Sequence, residues 1–317
     1  MTLPEPVAAP ARPDVATTAK TAPPRWSWLG RVPFAPTTAL QERLRQRILS
    51  DAGGETLLLL EHHPVITLGR SAADRHVLAA AGELERRGVE LHRASRGGDV
   101  TFHGPGQLVG YPVVRLDHGV VGHLRAMADG LIEVLRALGI TAFWRREAPG
   151  LWIKGERGGV DGLSKICSFG VNIHRRVAIH GFALNVTVDL DAFRLIVPCG
   201  LDGVQMTSID RVRAAVADVA AVADVAAVAD VAAVADVAAV ADVAAVADVA
   251  DVAAVAAVAD VAAVADVDRS PAQAPIDVPS LESLASDVAS AFCRTFGRSF
   301  VRASAAEVIA ETHGDRI

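Results

Sequence analysis

The sequence predicts one α/β domain, and three observations carry that expectation. First, stretches with apolar residues at helical spacing alternate along the chain with short apolar runs of strand character. Second, two segments are too biased to join a core. They are the first 25 residues, rich in Pro, Ala and Thr, and residues 214–267, almost only Ala, Val and Asp. Setting them aside leaves roughly 240 of the 317 residues, enough for one buried core. Third, three cysteines (Cys167, Cys199, Cys293) make no disulfide framework, so the core must hold itself together. The expected organisation is a disordered tail (1–25), a main domain (26–213), a low-complexity insertion (214–267) and C-terminal helices that complete the domain (268–317).

In chain order, Trp26, Trp28 and Leu29 begin the ordered part. Thr38 to Ser50 has helical spacing and stops before Asp51-Ala52-Gly53-Gly54. Thr56 to Leu60 is a short apolar run bounded by Gly and Glu, hence a buried strand. The following Glu61-His62-His63-Pro64 carries two adjacent histidines. Neighbours on a strand point to opposite faces, and no Cys or carboxylate spacing supports zinc there. Ala72 to Gly88 reads as a helix stopped by Gly88, and Val89 to His92 as a strand. Leu108 to Leu116 is a further strand, with Pro112 an interruption typical of a sheet edge.

Val121 to Leu138 is an amphipathic helix with Leu124, Met127, Leu131, Val134, Leu135 and Leu138 on one stripe, a core face. Ile140 to Phe143 and Leu151 to Ile153 read as strands, and Lys154 to Gly162 as a flexible hairpin loop. Leu163 to Ile173 and Val177 to Val186 are two strands joined at His174-Arg175-Arg176. Asp189 to Arg194 is one helical turn, and Ile196 to Gly200 a tight corner. Leu281 to Phe296 is an amphipathic helix stopped by Gly297, with Cys293 an ordinary buried thiol.

The repeat A-D-V-A-A-V places valine on nearly every third residue. A three-residue step turns about 300° on a helix, so the valines wind around it and build no single stripe. Alanine favours helix; disorder and a β-helix are the alternatives, and no catalytic role is expected. Removing the nine Asp of this tract moves the rest of the chain from −6 to +3. That balance gives no argument for nucleic acid, and there is no basic stripe with interleaved aromatics. No uncharged window of about 20 apolar residues exists, so no membrane span is expected. The N-terminus lacks the pattern of a signal peptide, although a transit peptide stays open. With its odd cysteine count the chain is expected in a reducing, cytoplasmic compartment.

Two sets of residues carry chemistry. Arg96 to Tyr111 reads R-G-G-D-V-T-F-H-G-P-G-Q-L-V-G-Y. Five glycines stand there among Arg96, Thr101, His103 and Gln107, as in a binding loop that runs into a strand. It is neither of the common nucleotide-binding glycine patterns. The second set begins with Lys165, one of three lysines beside Lys20 and Lys154. It lies in an apolar strand, where an amine is expensive to desolvate unless it has a partner or snorkels. Cys199, in Pro198-Cys199-Gly200, sits at a corner that suits an exposed nucleophile, and a nearby cation would stabilise its thiolate. Lys165 could be that cation.

Four blocks resemble the lipoyl(octanoyl) transferases of lipoate biosynthesis. Arg96, Gly97, Gly98, Thr101, Phe102, His103, Gly104, Pro105, Gly106, Gln107 and Tyr111 match that family's R-G-G-x-x-T-aromatic-H-G-P-G-Q-hydrophobic-x-x-Y. Lys165-Ile166 with Ser168-Phe169-Gly170 is similar to its K-I-x-S-x-G, His180 to Asn185 to its H-G-x-A-L-N, and Pro198-Cys199-Gly200 to its P-C-G. The segment Glu61 to Arg70 also resembles the family's E-H-x-P-V-x-T-x-G-R, a second pocket wall. The resemblance implies a mixed β-sheet flanked by helices, the fold of biotin and lipoate protein ligases, and a catalytic Cys199–Lys165 dyad.

It further implies substrate-binding positions at Arg96, Gly97, Gly98, Asp99, Val100, Thr101, Phe102 and His103, at Ser168, Phe169 and Gly170, and at Gly181, Phe182 and Ala183. The implied donor is octanoyl-acyl carrier protein. The implied acceptors are lipoyl domains of 2-oxoacid dehydrogenase acyltransferase subunits and the glycine cleavage H protein. Thioester to amide runs downhill, so neither cofactor, ATP nor metal is required. The rival readings are an ATP-dependent lipoate or biotin protein ligase, an amidotransferase between lipoyl domains, and a non-catalytic acyl-carrier-binding scaffold.

Overall fold

The computed structural model describes residues 22–154, 162–201, 203–217 and 278–312. Most of the tail, residues 155–161 of the Lys154 to Gly162 loop and nearly all of the Ala/Val/Asp insertion lie outside them. Among the described residues of the insertion, 214–217 lie in a helix whose described part runs over 209–217.

The architecture is a mixed sheet flanked by helices, as expected. Strands β1 (Arg25–Val32), β2 (Thr56–His62), β6 (Gln107–Val113), β10 (Val177–Asn185), β9 (Leu163–His174), β8 (Gly150–Lys154) and β7 (Phe143–Trp144) lie side by side in that order. The short β12 (Val301–Arg302) extends the β1 edge, and β11 (Gln205–Met206) pairs β9. β1 runs parallel to β2 and β12, whereas the central pairs β2–β6, β6–β10 and β10–β9 are antiparallel. A smaller sheet holds β3 (Val65–Leu68) between β4 (Glu90–Arg93) and β5 (Val100–His103).

Helix α1 (Phe34–Leu49) covers one face of the large sheet, and α3 (Gly119–Ala137) and α4 (Leu281–Thr295) cover the other. The apolar run of β2 follows from this sandwiching. Leu57 and Leu59 point toward α3 and α4, and Leu58 and Leu60 toward α1, so alternate residues need not be polar. The stripe on α3 is core as read: Met127, Leu131, Val134 and Leu135 are buried, with Leu124 and Leu138 packed at its margin. A third apolar cluster lies under the small sheet, where Ile66, Val100 and Phe102 meet Phe193, Leu195 and Ile196. The last described element is α5 (Ala305–Glu311), which begins with a capping box of Ser304 and Glu307.

Several expectations need correction. α1 begins at Phe34, four residues early, because Pro36 falls in the first turn where its missing N–H costs nothing. The Ala72 to Gly88 helix is only a 3₁₀ turn (Asp74–His76) and the short α2 (Ala81–Arg86). Between them the backbone is drawn into pairing with the later corner, through a Val77–Ile196 bridge and Leu78 N–H donating to Leu195 O at 2.8 Å. Pro112 is in a central strand, not at an edge. The β10 ladder stops at Gly110 and resumes at Arg115, so the ring sits where that ladder lapses. Ile140 to Phe143 yields only the two-residue β7, and Cys293 is half-buried at the core margin. β1 went unread as a strand.

Candidate active site

Lys165 lies on β9 just before β10 begins to pair with it. There Trp152 of β8 is its partner on one side and Met206 of β11 on the other. The residue is 2 % exposed, which overturns the snorkelling reading. Its Nζ donates to Cys199 Sγ at 3.2 Å and stands 5.1 Å from the centre of the Trp152 ring. Among the described residues no carboxylate pairs with this amine. A buried amine needs partners, and the Cys199 sulfur and the Trp152 ring are the ones beside it.

Room for the amine comes from Gly150. A Cβ there would lie 2.5 Å from Lys165 Cε, and the backbone has φ +150°. The sequence reading missed both Gly150 and Trp152. Trp152 is legible only as a strand residue until the β8–β9 register sets it opposite Lys165, and Gly150, opposite Ser168, only as a turn residue until the fold brings it against the Lys165 side chain.

Cys199 is half-buried in the 3₁₀ turn Pro198–Gly200, with φ +60°, and Gly200 follows at φ +65°. The left-handed conformation costs a non-glycine residue about 1–2 kcal/mol, so neighbouring structure must hold it. Gly200 N–H donates to Val197 O at 3.0 Å and Val197 N–H to His76 O at 2.8 Å. His76, expected inside a plain helix, is thus part of the corner's support.

The glycine loop is brought against the same strand. Arg96 is buried, and its guanidinium donates to Thr67 O (2.6 Å), Thr67 Oγ1, Gly97 O and Asp99 O. Burial lowers its pKa, opposed by the charges of Cys199, Tyr111 and Asp99. Gly97 N–H donates to Val171 O at 2.9 Å, which lays Gly97 and Gly98 along β9 beside Gly170. Ser168, Phe169 and Gly170 are partly exposed there.

Along β5 the side chains alternate. Val100 and Phe102 enter the third core cluster, and Thr101 and His103 take the opposite face. Gly181, Phe182 and Ala183 are buried behind β9, where they pair with Gly170, Phe169 and Ser168.

Behind the loop runs a chain of buried polar groups. His103 Nδ1 bonds Gln107 Oε1 (2.7 Å), Gln107 Nε2 donates to Asn185 Oδ1 (2.9 Å), and Asn185 Nδ2 donates to Thr207 O (2.9 Å). Thr207 N–H in turn donates to Lys165 O at 3.0 Å. His62 donates through Nδ1 to Val32 O (2.9 Å) and accepts from the Tyr111 hydroxyl (2.8 Å), so both ring nitrogens are occupied. Burial holds three imidazoles neutral. His62 is lowered to about 4, His180 to about 3, and His103 well below the usual histidine range. Among the described residues no cluster of three His, Cys, Asp or Glu suits a metal ion.

Residues 33–231 match the lipoyl protein ligase A/B catalytic domain family. The chain belongs to this family. Its relatives include the octanoyltransferase of Koribacter versatilis, 45 % identical over 186 residues covering 57 % of this chain and 72 % of that protein. That of Acidobacterium capsulatum is 43 % identical over 192 residues, covering 57 % and 77 %. That of Myxococcus xanthus is 42 % identical over 186 residues, covering 58 % of this chain and 52 % of the relative, about half its length. With these kin, the family member described here is an acyltransferase.

Solved structures agree on the fold. The bi-partite lipoate protein ligase of Thermoplasma acidophilum has a TM-score of 0.51 at 15 % identity, covering 92 % of this chain and 91 % of that one. A lipoate-protein ligase A bound with ATP has 0.53 at 14 %, covering 92 % and 93 %. At such identities the likeness speaks for the fold alone. No helix among the described residues is long and apolar enough to cross a membrane.

Proposed function

We propose that Cys199 and Lys165 carry the family's octanoyl transfer in protein lipoylation as a covalent dyad, with octanoyl-acyl carrier protein as donor and lipoyl domains as acceptors. The observation that carries this reading is the buried amine 3.2 Å from the corner thiol. An ammonium at that distance favours the thiolate, and the thiolate is the nucleophile. In the first half-reaction Sγ attacks the thioester carbonyl carbon. The carbon–sulfur bond to the carrier then breaks, and the carrier leaves as a thiol with a proton from Lys165. In the second, the neutral ε-amine of the acceptor lysine attacks the octanoyl-Cys199 thioester. The amide forms, the Cys199 carbon–sulfur bond breaks, and the amine's proton passes to Lys165. One acyl transfer becomes two easier steps, which predicts ping-pong kinetics.

In this reading the acyl chain lies along Gly97, Gly98 and the exposed side of Ser168 to Gly170. Gly181, Phe182 and Ala183 shape that wall from behind, and Arg96 to His103 form the opposite one. Backbone N–H groups of this wall would receive the oxyanion. Specific lipoyl acceptors of 2-oxoacid dehydrogenase acyltransferase subunits and the glycine cleavage H protein belong to the same proposal.

Intact-protein mass spectrometry after mixing the chain with octanoyl-acyl carrier protein, without ATP, tests it. The expected result is a mass gain of one octanoyl group, absent in Cys199→Ser and discharged by a lipoyl domain. Transfer that appears only with ATP and free octanoate would replace the dyad with an adenylating ligase.

A further inference from the structure

His76 and Asp99 form a pair that the dyad chemistry leaves without a task. His76 Nδ1 donates to Asp99 Oδ1 at 2.8 Å, and both side chains are largely buried. The same Oδ1 accepts the Val100 N–H at 2.7 Å, and the Asp99 carbonyl accepts from Arg96 Nη1 (2.8 Å) and from Gly69 N–H (3.1 Å). The carboxylate is therefore fixed at its root and at one oxygen. Its other oxygen faces the nucleophile corner. A Cβ on Gly200 would stand 2.5 Å from Asp99 Oδ2 and 3.2 Å from His76 Cε1. His76 also takes the Val197 N–H on its backbone carbonyl at 2.8 Å.

The pair thus packs beside Gly200, where the missing Cβ leaves it room, and the His76 backbone carbonyl bonds Val197; the corner itself holds two consecutive left-handed residues, Cys199 and Gly200. A strained turn of that kind persists only where its surroundings over-determine it. The contact from Asp99 leads back to the buried Arg96, so the glycine loop and the corner are mechanically one unit.

We propose that His76 and Asp99 are positioning residues that hold the Cys199–Gly200 turn in its left-handed form and so keep Sγ against Lys165 Nζ, and that Asp99 faces this turn instead of the acyl chain. The inference rests on the acyl-enzyme reading for its consequence in turnover, but its geometric content does not depend on that reading.

Two readouts on the full-length chain separate them. The first is the rate of Cys199 alkylation by iodoacetamide, read at the Cys199 peptide by mass spectrometry, with Lys165→Ala as the reference for a thiol without its cation. The second is the kcat and KM of octanoyl transfer from octanoyl-acyl carrier protein. For His76→Ala and Asp99→Ala we expect alkylation to slow toward the Lys165→Ala rate. We expect kcat to fall about 100-fold with KM unchanged, the scale of a misplacement near 1 Å. The double variant should be little worse than either single one, as for residues acting as a unit. Asp99→Asn and His76→Gln, which keep an acceptor and a donor for the shared bond, should recover most of the loss.

A global folding defect is read separately by circular dichroism, which should match the unsubstituted chain in every variant. The proposal is overturned if Asp99→Ala raises KM and leaves alkylation and kcat as they were, because Asp99 would then contact substrate. Unchanged alkylation in His76→Ala, Asp99→Ala and the double variant overturns it as well. If transfer proves not to use Cys199, the alkylation results still decide the positioning claim.

Discussion

Cys167 and Cys199 sit near the same lysine, one fully buried and one half-buried, and the proposed mechanism uses the second. Cys167 lies two residues after Lys165 on β9, fully buried in the core. Burial pushes its thiol well above the ordinary range, and the charge of Lys165 pulls the other way without winning. Cys199 approaches from a different segment, at a half-buried turn where its sulfur meets Nζ directly at 3.2 Å. A nearby cation is thus not enough to make a nucleophile. In the proposed mechanism the sulfur must also reach the donor, and Cys199 stands half-buried in a left-handed corner where Cys167 is fully buried.

The comparison can be broken most severely at the sulfur itself. Cys199→Ser should abolish the octanoyl adduct seen by mass spectrometry, whereas Cys167→Ala should still form it. An adduct that moved with Cys167 would reverse the assignment. Next in size is the shared cation. Lys165→Ala should cut transfer by about 10²–10⁴-fold, the usual contribution of a positioned proton-transfer group, measured as single-turnover acylation.

Gly150→Ala sharpens the geometry. Its Cβ would stand 2.4 Å from the Cys167 carbonyl oxygen and 2.5 Å from Lys165 Cε, at φ +150°, so β8 must shift against β9. A displacement of about 1 Å should cost up to about 100-fold in kcat. The protein should stay folded by circular dichroism.

The last effect lies behind the site, concerns stability and not turnover, and depends on pH. His62 is held neutral by burial, with its pKa lowered to about 4 from 6.5. The unfolded chain therefore binds more protons between those values, so stability falls as pH drops from about 6.5 to about 4. Roughly 3 kcal/mol from this residue would be lost by pH 4. Urea midpoints across that range should show it, and His62→Gln should flatten the slope.

Some of the molecule was readable from residue order. β9 and β10 appeared within a residue or two of their observed ends, because their apolar runs are long and a basic turn separates them. The stripes on α3 and α4 announced core faces through 3.6-residue periodicity. The stretch around His76 was not readable. Its local pattern favours one helix, and a bridge to Ile196, more than a hundred residues later, wins instead. Pro112 misled for a similar reason, since whether a proline interrupts a ladder depends on the neighbouring strand's register. At the site, Lys165 and Cys199 were conspicuous by residue type and surroundings, but His76, Gly150 and Trp152 carried no local signal.

What the sequence determined by itself is therefore the set of chemical groups and the periodicities: a lysine in an apolar strand, a cysteine in a proline–glycine corner, a glycine-rich loop and amphipathic helices. Those are properties of neighbours in the chain. Only the tertiary structure decided that Nζ and Sγ meet, that Trp152 faces the amine, and that Asp99 turns toward Gly200. Each of these joins segments far apart in sequence. Their distance is set by strand register and by packing on both faces of the sheet, which no local pattern encodes.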